Sequence, residues 1–208
     1  MIPFYERTQS SQEIDVGFFS LGDVCSLSKA QANKVAVRVT DPCYSISTFG
    51  THTVDNAMEG LWRASVSLSG STIEALVVNH ENYDYVTLQA SWKLVTDNIG
   101  VDSGQAGFFD SKYYPIGCTG EHGRLDTFYG MCCKLTLDGL CGVLPYGAVS
   151  SSGHGDDTYS LYSVEKNGYT VAMKLVFIEK EDENDKCNHA CSNCCSGCQE
   201  YADHNDDE

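Results

Sequence analysis

The chain has 208 residues, of which 42% are apolar and 20% charged, with a formal net charge of −16. This length holds one domain and an appendage, while the charge argues against nucleic-acid phosphate or anionic membrane as a partner, because both are bound through Lys and Arg. Nineteen Gly against 4 Pro, with 12 Tyr and 8 Phe, predict strands joined by tight turns rather than a helix bundle.

The N-terminal run Met1-Ile2-Pro3-Phe4-Tyr5-Glu6-Arg7 shows no basic stretch followed by an apolar one, so no secretory leader is expected. The longest apolar runs, such as Leu175-Val176-Phe177-Ile178, are strand-length and far short of a membrane span. A cytoplasmic location is the expectation, or a virion if the chain is phage-encoded, and with it reduced thiols. Cys25, Cys43, Cys118, Cys132, Cys133 and Cys141 are then expected to act as small buried apolar residues.

From residue 15 to residue 95 the pattern is mostly strand. Val35-Ala36-Val37-Arg38-Val39 alternates, Leu61 to Leu68 partly alternates, Ile73 to Val78 is apolar but for Glu74, and Tyr85-Val86-Thr87-Leu88 continues the series. Short runs broken by Gly, Ser and Asn suggest an antiparallel sheet or a sandwich-like body. One principal helix is predicted near 121–137, where Leu125, Phe128, Tyr129, Cys132 and Leu135 fall at helical spacing and would face the core; Gly123 and Gly130 weigh against it. A strand at Gly147-Ala148-Val149 follows. Thr158–Val164 and Tyr169–Ile178 then read as a hairpin about Asn167-Gly168, a pair suited to a type I′ turn. The fold expected is α+β, mostly β, over residues 1–180. Residues 181–208 form an acidic, cysteine-rich tail; from Glu179 onward ten acidic residues stand against Lys180 and Lys186, which is half of the net charge.

Two segments stand out as loops. In Gly100-Val101-Asp102-Ser103-Gly104-Gln105-Ala106-Gly107-Phe108-Phe109-Asp110, the carboxylates of Asp102 and Asp110 would either converge as oxygen ligands or an acid/base pair, or each cap its own turn. In Ser150-Ser151-Ser152-Gly153-His154-Gly155-Asp156-Asp157-Thr158-Tyr159, His154 and Asp156 would form a titrating pair, or simply occupy a glycine-rich turn. The serines lie outside any G-x-S-x-G arrangement. Together the two segments resemble the DUF4241 family of bacterial, phage and some eukaryotic proteins, a domain of unknown function. The likeness lies in a "VD(S/A)G…FxD" block and an "SGxGDGxY" block, with Asp157 replacing the second glycine of the GDG. The resemblance spans about residues 15–180 and implies a shared fold without an activity.

The tail carries Cys187, Cys191, Cys194, Cys195 and Cys198, with His189 and His204 nearby. Two adjacent C-x-x-C pairs suit a thiophilic ion such as zinc, although zinc modules usually set their pairs a dozen or more residues apart. Disulfides within the tail or to another chain, and a solvated thiol-rich tail, stand beside that reading. For function, two classes remain. One is a soluble binding, structural or accessory protein, of the immunity, phage-encoded or virion-assembly kind, with a protein partner or self-association. The other is a hydrolase-like enzyme for a small substrate that uses Asp102, Asp110, His154 and Asp156, with or without a divalent metal.

Overall fold

A computed structural model of the chain describes residues 12–23, 33–88, 91–117, 119–120, 124 and 126–179. The strands are β1 (Gln12–Leu21), β2 (Lys34–Thr40), β3 (His52–Met58), β4 (Gly60–Ser69), β5 (Thr72–His80), β6 (Lys93–Val101), β7 (Gln105–Asp110), β8 (Cys141–Leu144), β9 (Gly147–Ser151), β10 (Asp157–Lys166) and β11 (Tyr169–Val176). The helices are α1 (Tyr85–Leu88) and α2 (Phe128–Gly139). The α+β, mostly β expectation therefore holds. The chain divides into two units, Met1–Ile178 and Glu179–Glu208. Cys187, Cys191, Cys194, Cys195 and Cys198 lie outside the described residues, as do Cys25, Cys118 and Leu125.

Two antiparallel series make up the sheet. One runs β1-β4-β5-β11-β10-β6 and the other β3-β2-β7-β9-β8. They join where Thr170 of β11 meets Ala57 of β3 in parallel. At the other margin the Ser20 N–H of β1 donates to the Pro145 carbonyl beyond β8, 3.0 Å away, so the sheet nearly closes on itself. Period-two patterning explains what fills the interior. On β4, Trp62, Ala64 and Val66 point inward while Arg63, Ser65 and Ser67 alternate with them. Val37 and Val39, Phe108, Leu76 and Val78, Leu161, Met173 and Leu175 complete this core from the other strands.

A second apolar layer lies where α2 covers the sheet. Phe128, Cys132 and Leu135 pack on Phe109, Tyr114, Leu144 and Val149. The apolar stripe expected on this helix meets core, as read from the sequence, but the helix starts later than residue 121. A turn intervenes, in which the Thr127 N–H and hydroxyl both donate to the Arg124 carbonyl at 3.1 and 2.8 Å. Thr127 then caps α2 by accepting the Gly130 N–H at 3.0 Å. Gly130 belongs inside the helix because a Cβ there would overlap the Arg124 carbonyl oxygen.

Two further expectations are corrected. Residues 85–88 form a helical turn, not a strand: the Thr87 N–H and hydroxyl both donate to the Asp84 carbonyl, at 3.1 and 2.7 Å. Gln105–Asp110 is strand β7, not loop. All six of its residues are buried, since Ala106 and Phe108 enter the interior and Phe109 lies under α2. The hairpin is as expected, with φ of 54° at Asn167 and 79° at Gly168.

Candidate functional site

The β6–β7 connection is only Asp102-Ser103-Gly104, and it is built around a carboxylate that the sequence did not single out. Asp41 follows β2 and is fully buried. Its Oδ2 accepts the N–H groups of Asp102 (2.9 Å) and Ser103 (2.7 Å). Its Oδ1 accepts the Ser103 hydroxyl (2.7 Å) and the Cys43 N–H (2.8 Å). A buried charge is stable only with such partners. The local signal was Asp41-Pro42, a turn dipeptide, but nothing local points to a turn some sixty residues on as its partner.

The second loop, between β9 and β10, docks on this turn. The Ser152 N–H donates to the Gly104 carbonyl and the Gly104 N–H to Asp156 Oδ1, both at 3.0 Å. The Ser152 hydroxyl donates to the Gly155 carbonyl at 2.8 Å, and the Tyr159 hydroxyl lies 2.8 and 2.7 Å from the carbonyls of Ser152 and Gly155. The two segments that stand out in the sequence thus meet. Asp157 is the first residue of β10 and needs no left-handed backbone.

A third segment, residues 42–51 between β2 and β3, completes this end of the molecule. Arg38, on β2 and itself buried, donates through Nη2 to the carbonyls of Ser45 (3.1 Å) and Ile46 (2.9 Å) and to the Thr51 hydroxyl (3.2 Å). The Tyr114 hydroxyl donates to the Tyr44 carbonyl at 2.6 Å, and the Thr119 hydroxyl to the Cys43 carbonyl at 3.2 Å. The Gly100 N–H donates to the Gly50 carbonyl at 2.8 Å.

The four expected site residues do not share a pocket. Asp102 and Asp110 lie at opposite ends of β7, and a six-residue strand spans about 20 Å, so their convergence fails on strand geometry alone. Asp110 is 1% exposed and accepts the N–H groups of Gly22 (2.7 Å) and Lys112 (2.8 Å). Asp156 is exposed and bonded to Gly104, and His154 is exposed. Among the described residues no hydrogen bond or ion pair joins His154 to Asp156. Asp110 caps its own turn through the Lys112 N–H, whereas Asp156 bonds across to the 102–104 turn.

Asp110 instead borders two clefts at its own end of β7. One, about 260 Å³, is lined by residues that include Asp23, Lys34, Glu59 and Lys112. The other, about 160 Å³, lies between Phe109, Phe128, Met131 and the stacked rings of Tyr113 and Tyr146, whose centroids are 3.7 Å apart.

Titration behaviour around Asp41 is that of a closed structural cluster. Burial, then the neighbouring Asp41, pushes the Cys43 thiol up to about 12. Burial also raises the Cys132 thiol and the Tyr44 and Tyr114 phenols, and lifts the Tyr129 phenol to about 12. A thiol so held is protonated near neutrality and is a poor nucleophile and metal ligand. Among the described residues no group of three or more His, Cys, Asp or Glu is placed to hold a metal ion. No described helix is long and apolar enough to cross a membrane. No family model, curated protein or solved structure matches the chain.

Proposed function

We propose that this protein is a binding or structural module and that its contact face is the end formed by residues 42–51, 102–104 and 152–156. The observation that carries this reading is where the carboxylates are used. Asp41 accepts the N–H groups of Cys43, Asp102 and Ser103, and Asp156 accepts that of Gly104, so these carboxylates tie the loops of this end to one another. Loops set rigidly on a strand scaffold are suited to recognition, because little conformational freedom remains to be lost on binding. An accessory, immunity or assembly role fits this description, with a protein as partner or a second copy of the chain.

A photo-crosslinking residue at position 154, where the side chain is exposed, tests the reading in the cells that express the chain. The expected result is a discrete protein adduct from that position and none from position 93, at the opposite end of β6. Hydrolysis of simple ester or phosphate substrates, abolished by His154→Ala, would instead establish the hydrolase reading. A zinc-loaded tail at Cys187, Cys191, Cys194, Cys195 and Cys198 is proposed separately, on thiol spacing alone.

A further inference from the structure

We infer that the partner is a basic protein with an apolar pocket, and that the side chain inserted into that pocket is Phe49; the inference rests on the binding reading above. Phe49 is 96% exposed and Ile46, three residues before it, is 46% exposed. Single exposed apolar residues are ordinary on protein surfaces. This one differs in its mounting. The loop beneath it is clamped on several sides: Arg38 on the carbonyls of Ser45 and Ile46, Tyr114 on Tyr44, Thr119 on Cys43, and Gly100 on Gly50. Within the loop the Thr48 N–H donates to the Ser45 carbonyl at 3.1 Å, and the two hydroxyls lie 3.1 Å apart. Gly50 packs so closely on Gly100 that a Cβ at Gly50 would come within 3.1 Å of the Gly100 backbone.

An aromatic side chain buries about 150–250 Å² when enclosed, and a rigid mount spares the ordering cost of that burial. Aromatic anchors of this kind dominate binding energy at protein interfaces.

Charge identifies the kind of partner. Gly100 lies against Gly50, pairs with Thr158 on β10, and is two residues from Asp102; Val101 pairs with Asp157. Asp102, Asp156 and Asp157 are all exposed, so three carboxylates border the loop that carries Phe49. The guanidinium of Arg38 is turned into the loop, onto its carbonyls. Residues 1–178 hold 19 Asp and Glu against 11 Lys and Arg, so the field of this unit also favours a cationic partner and repels an acidic one. The complementary surface is an apolar pocket ringed by Lys and Arg.

The test selects binders to the full-length chain from a displayed library of a small folded domain with a randomised surface. Selected binders are expected to carry Lys or Arg around an apolar pocket and to lose about tenfold or more in affinity for Phe49→Ser. The double variant Asp102→Asn with Asp157→Asn should slow association about threefold or more and weaken its salt dependence. Because Phe49 is exposed, Phe49→Ser should melt as the parent does, which separates lost binding from lost folding. Binders that hold Phe49→Ser within about twofold of the parent, or that carry acidic surfaces, overturn the inference and leave the binding reading standing. Absence of any crosslinked protein at position 154 in cells defeats the binding reading itself.

Discussion

Replacing Asp41 by alanine removes the acceptor of four hydrogen bonds at once: the N–H groups of Cys43, Asp102 and Ser103, and the Ser103 hydroxyl. Hydrogen bonds to a charged acceptor contribute roughly 1.5–3 kcal/mol each in isolation, but a shared acceptor is not additive and part of this turn reaches water. A loss of about 3–4 kcal/mol is the working figure, a large share of the 5–15 kcal/mol typical of a domain. Asp41→Asn should cost less, about 2 kcal/mol, because the amide oxygen still accepts while its NH2 group faces a donor. Ser103→Ala should cost about 1 kcal/mol, and the pair with Asp41→Ala less than the sum of the two. Urea unfolding followed by the fluorescence of Trp62, which is fully buried, measures all four. If Asp41→Ala and Asp41→Asn each cost under about 1 kcal/mol, the carboxylate does not organise the loop face and the face is not a rigid platform.

Other consequences can be measured alongside. His80 is 3% exposed, its Nδ1 accepts the Asn82 N–H at 3.2 Å, and its Nε2 lies 3.2 Å from the Glu59 carbonyl, which sets the neutral Nε2–H tautomer. Burial holds its pKa below 6.5, so the unfolded chain binds the proton more readily. The stability this provides is full above pH 6.5 and declines as pH falls toward the folded-state value; a His80→Gln variant whose stability falls as steeply as the parent's between about pH 6.5 and 5 would count against it. Gly130→Ala, which places a Cβ on the Arg124 carbonyl, should cost about 3 kcal/mol, whereas an unchanged melting temperature would show that the turn before α2 yields freely. Gly168→Ala, at a φ of 79°, should cost about 1–2 kcal/mol; no measurable loss would mean the hairpin accepts another turn. Elemental analysis of the full chain and of a chain lacking residues 187–198 tests the zinc reading of the tail, and equal metal content in the two refutes it.

The hairpin about Asn167-Gly168 and the alternation along β4 were legible because their cause is local: two residues that tolerate positive φ, and a side-chain period of two. The apolar stripe of α2 was legible for the same reason, and its start was not, because a turn held on the Arg124 carbonyl precedes it. Strand β7 went unread as a strand. Its Gly-rich, aromatic sequence lacks alternation because both faces are covered, one by the interior and one by α2, and only the assembled layers reveal that. The site divides in the same way. Asp102, Asp110, His154 and Asp156 were found by residue type, but a residue type does not state what its oxygen atoms will meet. Asp41, Arg38 and Phe49 carry little local signal; what each does depends on which distant segment lies against it. Composition, charge, turn chemistry and period two follow from the chain's own order. The pairing of Asp41 with the 102–104 turn, of Asp156 with Gly104, and the mounting of Phe49 depend on contacts between residues far apart in sequence, and those exist only once the sheet has assembled.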